Sequence, residues 1–157
     1  MMTASFAASC AIAGLALAFA PGCGGQVDSS SKLSQFSSQV NALTTLEFTR
    51  TSTAGAAPLH VEITTPSDVQ TIYRATLSLP EMAGTATCTD GDIHYRLTFK
   101  SGSTTVVQVD EEPDGCERVS VPGVAAPLVA GDAYWAKLSE GLGVPESIMY
   151  PETAAAR

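Results

Sequence analysis

From Ile93 to Lys100 the chain alternates apolar and polar residues without a break: Ile93, Tyr95, Leu97 and Phe99 against His94, Arg96, Thr98 and Lys100. A period of two is that of a strand with one face buried. Ser101-Gly102-Ser103 is turn chemistry, and Thr104 to Asp110 reads as the returning strand of a hairpin. A three-residue loop sets Lys100 opposite Thr104, Phe99 opposite Thr105, Leu97 opposite Val107 and Tyr95 opposite Val109. That register keeps the apolar residues of both strands on one face. A two-residue loop sets Leu97 against Gln108 and Tyr95 against Asp110, so the three-residue loop is expected.

Leu46-Glu47-Phe48-Thr49 and Leu59-His60-Val61-Glu62-Ile63 alternate in the same way, and Ala54 to Pro58 breaks the chain between them. These two strands form an expected first hairpin. Thr65-Pro66-Ser67-Asp68 is a helix start, with a capping hydroxyl, proline at the first helical position and an acid in the first turn; Ser67 and Gln70 offer a second capping arrangement. Val69, Ile72, Tyr73, Thr76 and Leu77 then fall on one helical face, and Pro80 ends the helix. A second helix is predicted from Asp132 to Leu142, with Trp135, Leu138 and Leu142 facing the core and glycines at its end. Cys116 to Val121 reads as a further strand, and Val121 to Gly131 as a surface loop. Leu33, Phe36, Val40 and Leu43 follow a helical spacing on a serine-rich background, so a short helix there competes with plain linker.

Each strand has one greasy face, and two amphipathic helices are at hand to cover it. The expected fold is therefore α+β: a two-layer domain over residues 43–150, with an antiparallel sheet and two helices packed on one face. The pattern leaves the strand order open. Residues 151–157 are an Ala-rich end expected to fray. The hairpin register, carried outward, brings Cys88 opposite Cys116.

Ala7 to Ala20 is an apolar run of small residues, too short to span a bilayer and followed by Pro21-Gly22-Cys23. It has the form of a secretory signal, which sets residues 1–22 apart as a signal peptide. Met1 to Ser9 lacks Lys and Arg, which fits a start site further upstream. Ala20-Pro21-Gly22-Cys23 resembles the lipobox of bacterial lipoproteins. The resemblance implies lipidation of Cys23 and a membrane anchor in the cell envelope. Gly24 after the cysteine implies the outer membrane and its periplasmic side if the cell is Gram-negative. Cleavage near Ala20 without a lipid is the other reading. Residues 23–42 are then a tether, with Cys10 removed, Cys23 acylated and Cys88 and Cys116 left as one disulfide in an oxidising compartment.

Charge narrows the function. The formal net charge of −8 lies wholly from Asp28 onward, with eight basic residues and no basic stripe, so nucleic acid is not an expected partner. Asp90 and Asp92 stand before the central hairpin, and Asp110, Glu112 and Asp114 follow it. Hard oxygen ligands at that density suit Ca²⁺, but the spacing matches no calcium loop, so solvated turns are the main expectation and no cofactor is required. His94 lies opposite Asp110 in the expected register, half of a catalytic arrangement without a nucleophile. His94, Arg96, His60 and Glu62 lie on the polar sheet face and are candidates for surface recognition.

The body is also similar to uncharacterised exported bacterial proteins, through Ile72-Tyr73, Leu79-Pro80, Cys88, Tyr95 to Phe99, Gly115-Cys116, Tyr134-Trp135 and Leu142-Gly143. That likeness implies no activity. The expected function is a non-enzymatic, membrane-anchored lipoprotein that binds or supports an envelope protein. A disulfide-stapled inhibitor or recognition module is the alternative, and a hydrolase is the third.

Overall fold

The structure, a computed structural model, describes residues 29–83 and 89–149. The expected signal peptide, Cys23, the start of the expected tether, Cys88, Tyr150 and the C-terminal tail lie outside the described residues, with the expectations placed on them.

The order of elements is α1 (Ser29–Gln39), a 3-10 turn (Val40–Ala42), β1 (Thr45–Ser52), β2 (Leu59–Ile63), α2 (Pro66–Leu77), β3 (Ile93–Ser101), β4 (Thr104–Glu112), β5 (Arg118–Ser120), β6 (Leu128–Val129), α3 (Asp132–Leu142) and α4 (Glu146–Met149). The six described strands make one antiparallel sheet in the order β2-β1-β3-β4-β5-β6. With the helices this is an α+β fold.

Alternation along the strands builds the core. Leu46 and Phe48 of β1, Ile93, Tyr95, Leu97 and Phe99 of β3, and Val107 and Val109 of β4 are all buried. Helix α2 turns Val69, Ile72, Tyr73 and Thr76 inward, and α3 turns Tyr134, Trp135, Leu138 and Leu142. Aromatic edges join the layers: Tyr73 meets Phe99 at 4.9 Å between ring centroids, and Tyr95 meets Trp135 at 6.1 Å. Pro66 stands in the first turn of α2, but the Thr65 hydroxyl makes no capping bond. Its carbonyl accepts the Asp68 and Val69 N–H groups instead. Gln70 reaches the Leu43 carbonyl rather than completing a box with Ser67.

The central hairpin departs from the expected register. Its loop is the two residues Gly102-Ser103, with Ser101 paired to Thr104. Gly102 has φ +58 at the first loop position, where a two-residue hairpin favours glycine. That loop alone would turn Val107 and Val109 outward. An irregularity between Phe99 and Lys100 restores the parity: Lys100 pairs with Thr105, but Phe99 pairs with Val107, Leu97 with Val109 and Tyr95 with Glu111. Val106 is the extra residue of the bulge. Burial of the two valines outweighs the cost of a broken ladder.

Two further differences concern short elements. The expected surface loop at 121–131 contains β6, and Leu128 and Ala130 are buried. A two-residue strand is too short to leave a period in the sequence. The 29–39 segment is helical, with Phe36 half-buried and its carbonyl accepting a bond from the Tyr73 hydroxyl at 3.1 Å; the Leu33 side chain is not among those described.

Candidate functional site

The sheet face away from the helices carries the polar half of each alternating strand. Across it run two rows set by the register: Thr49, Arg96, Asp110 and Ser120, then Thr51, His94, Glu112 and Arg118. A shallow depression of about 280 Å³ opens over these rows. Thr49, Thr51, His94, Arg96, Asp110 and Ser120 are among the residues lining it.

Charges on this face are paired across strands. Arg96 Nε donates to Asp110 Oδ1 at 2.7 Å, with both side chains more than half exposed. Arg118 donates to both Glu112 oxygens at 2.7 and 2.8 Å and lies 3.5 Å from Asp90. Lys100 bonds Glu47. The exposed Arg96–Asp110 pair contributes at most ~1 kcal/mol, so it sets the pattern of charge more than the stability. His94 does not face Asp110. The bulge moves it opposite Glu112, with Nδ1 3.9 Å from Oε1.

Of the other sequence candidates, His60 and Glu62 are exposed on β2, at the edge of the sheet and outside the depression. The five carboxylates considered for calcium do not converge. Asp110 serves Arg96, and Glu112 and Asp90 serve Arg118. Asp92 accepts from the Thr53 hydroxyl at 2.7 Å. Asp114 accepts the Asp92 and Ile93 N–H groups at 2.7 and 3.2 Å and so caps the start of β3. Among the described residues no group of three or more His, Cys, Asp or Glu side chains is placed to hold a metal ion.

The depression gathers a histidine, carboxylates and a serine, which is the composition of a hydrolytic site. Its spacing is wrong for one. His94 is on β3 and Ser120 on β5, with β4 between them. Two strand intervals are roughly 10 Å, well beyond the 2.6–3.2 Å contact that a base needs to take a proton from a nucleophile.

The chemistry that the sequence reading missed lies on the other side of the sheet. Arg50, Tyr95, Glu111, Val119 and Leu128 form one row on the buried face. Arg50 is 5% exposed and spends its guanidinium on main-chain carbonyls: Ala57 at 2.5 and 3.2 Å, Met149 at 3.3 Å, and Ile148. Tyr95 donates to the Met149 carbonyl at 2.6 Å. Together these bonds fasten α4 to the sheet.

Glu111 is 1% exposed. Its Oε1 is hydrogen-bonded to the Tyr134 hydroxyl, while Oε2 has no partner among the described residues. Burial pushes this carboxyl up to about 8; Asp110 adds to the rise, and the Tyr134 bond opposes it. Tyr134 also meets Thr76 Oγ at 3.0 Å, and Thr76 donates to the Ile72 carbonyl at 3.1 Å. Arg50 was legible in principle, because it continues the inward parity of Leu46 and Phe48. Glu111 was legible in the same way, because it continues the inward parity of Val107 and Val109.

No protein-family model, curated protein or solved structure matches this chain.

Proposed function

We propose that this chain is an exported, lipid-anchored domain of the bacterial cell envelope that works by binding rather than catalysis. In this reading its polar sheet face contacts an envelope protein. The observation that carries the reading is that face: a shallow, mixed-charge depression on strands whose opposite side is locked into the core. Paired charges of both signs suit recognition of another polar protein surface, where they set register and exclude wrong partners. The anchor rests on the lipobox-like Ala20-Pro21-Gly22-Cys23 after the apolar run, with a Gly/Ser-rich stretch leading to α1.

The same reading pairs Cys88 with Cys116 in a disulfide. The chain just after Cys88 lies against the chain just before Cys116: a Cβ on Gly115, which has φ +74, would stand 2.6 Å from the Thr89 carbonyl oxygen. Only glycine allows that approach.

A photo-crosslinking residue at Thr98, in the middle of the polar face, tests the binding role in intact cells. A discrete cross-linked species is expected there, and none with the same group at Ile148, which is half exposed on α4. Equal labelling at both positions, or none at Thr98, Thr49 and Arg96, would sink the assignment of this face.

A further inference from the structure

The two edges of the sheet are treated differently. At one end β6 is covered: Glu81 bridges Leu128, the Val129 N–H goes to the Pro80 carbonyl, and the Met82 N–H goes to the Pro127 carbonyl. At the other end β2 pairs with β1 on one side, and no described strand pairs with its other side. Proteins commonly guard such an edge with a proline, a lysine or a bulge. Leu59 to Ile63 contains no proline or lysine, and its pairing with β1 runs without a shift.

The sequence of this edge is complementary to itself. When a second copy of β2 is laid antiparallel beside the first, centred on Val61, three kinds of pair result. Leu59 faces Ile63 of the second copy, Val61 faces Val61, and His60 faces Glu62. Apolar residues meet apolar ones on the helix-bearing side, and each exposed imidazole meets an exposed carboxylate on the polar side. Among the described residues the acid has no ion-pair partner within its own chain. Its neighbour on β1 is Glu47, a like charge, and Lys100 already bonds Glu47. Like charges directly opposite each other are unfavourable, and an opposite group on the open side offsets them.

We infer that β2 is a docking edge for a second copy of this chain, giving a two-fold symmetric dimer with one continuous sheet of about twelve strands. The axis runs midway between the two Val61 residues, perpendicular to the sheet, as antiparallel pairing of identical strands requires. Both polar faces then point the same way, and a dimer presents two depressions side by side. A lipid tether would hold the copies in one membrane plane and raise their effective concentration.

Sedimentation equilibrium of the full chain, in density-matched detergent, tests this. The wild type is expected to approach twice the chain mass at micromolar concentration. His60→Glu sets Glu against Glu62 twice in each dimer, and Glu62→Lys sets Lys against His60 twice. Each is expected to weaken the dimer roughly tenfold or more, because every change acts at two symmetric contacts. The double variant His60→Glu/Glu62→Lys again places opposite charges face to face and should restore the dimer. Both positions are exposed, and circular dichroism checks that each variant folds. A monomer at every concentration, a dimer indifferent to the single changes, or a double variant no tighter than the singles overturns the proposal.

Discussion

Glu111 is an acid on a face otherwise given to hydrocarbon, and protons decide how well it fits. When it is protonated, one line of donors serves every acceptor: Glu111 to Tyr134, Tyr134 to Thr76, Thr76 to the Ile72 carbonyl. When it is ionised, Tyr134 turns its proton to Glu111, and Thr76 has one proton for two acceptors. The groups around it give the charge little help. Tyr95 on β3 is itself pushed up by burial, Arg50 on β1 is occupied by carbonyls, α2 offers only the neutral Thr76, and Asp110 and Glu112 on its own strand are acids. The folded protein thus holds a proton that the unfolded chain releases near the ordinary value of 4.5. Its contribution is complete below that pH and is lost as pH rises toward about 8, with stability falling on the order of 1 kcal/mol per pH unit between them. Glu111→Gln keeps a donor for Tyr134 and removes the titration. Thermal melts from pH 5 to 8 should fall for the wild type and much less for the variant. Parallel declines would show that Glu111 is not the group responsible.

Among the elements, the β3–β4 hairpin shows what a pattern can and cannot say. Alternation placed the buried face of β3 correctly, since Ile93, Tyr95, Leu97 and Phe99 are all buried. It could not count the residues in the turn. A two-residue loop with a bulge and a three-residue loop leave the same valines inside, so burial does not distinguish them. The difference shows in the pairing, where Tyr95 meets Glu111 rather than Val109 and His94 lies near Glu112 rather than Asp110. The proposed Cys88–Cys116 bond closes a loop around this hairpin and should stabilise the fold by roughly 3–4 kcal/mol. Reduction should lower the melting temperature by roughly 10 °C or more. A melt unchanged by reductant would mean that the bond is absent or contributes nothing.

At the scale of the whole molecule, the proposed address at one end and the proposed binding face on the body would make a tethered module. Replacing Cys23 with Ser should move the protein from the membrane fraction to the soluble one. Unaltered fractionation would remove the lipid from the account, while the fold would stand. The sequence by itself determined the parts that depend on local period and punctuation: the alternation of β1 to β4, α2 behind Pro66, α3 up to its glycines, and the polar character of the open face. These follow from neighbours along the chain. Tertiary structure decided the strand order, the bulge, β6 and the partners that Glu111 and Arg50 meet in the core. Each arises from contacts between distant residues, where total burial outweighs local preference and a single extra residue changes which side chains meet across the strands.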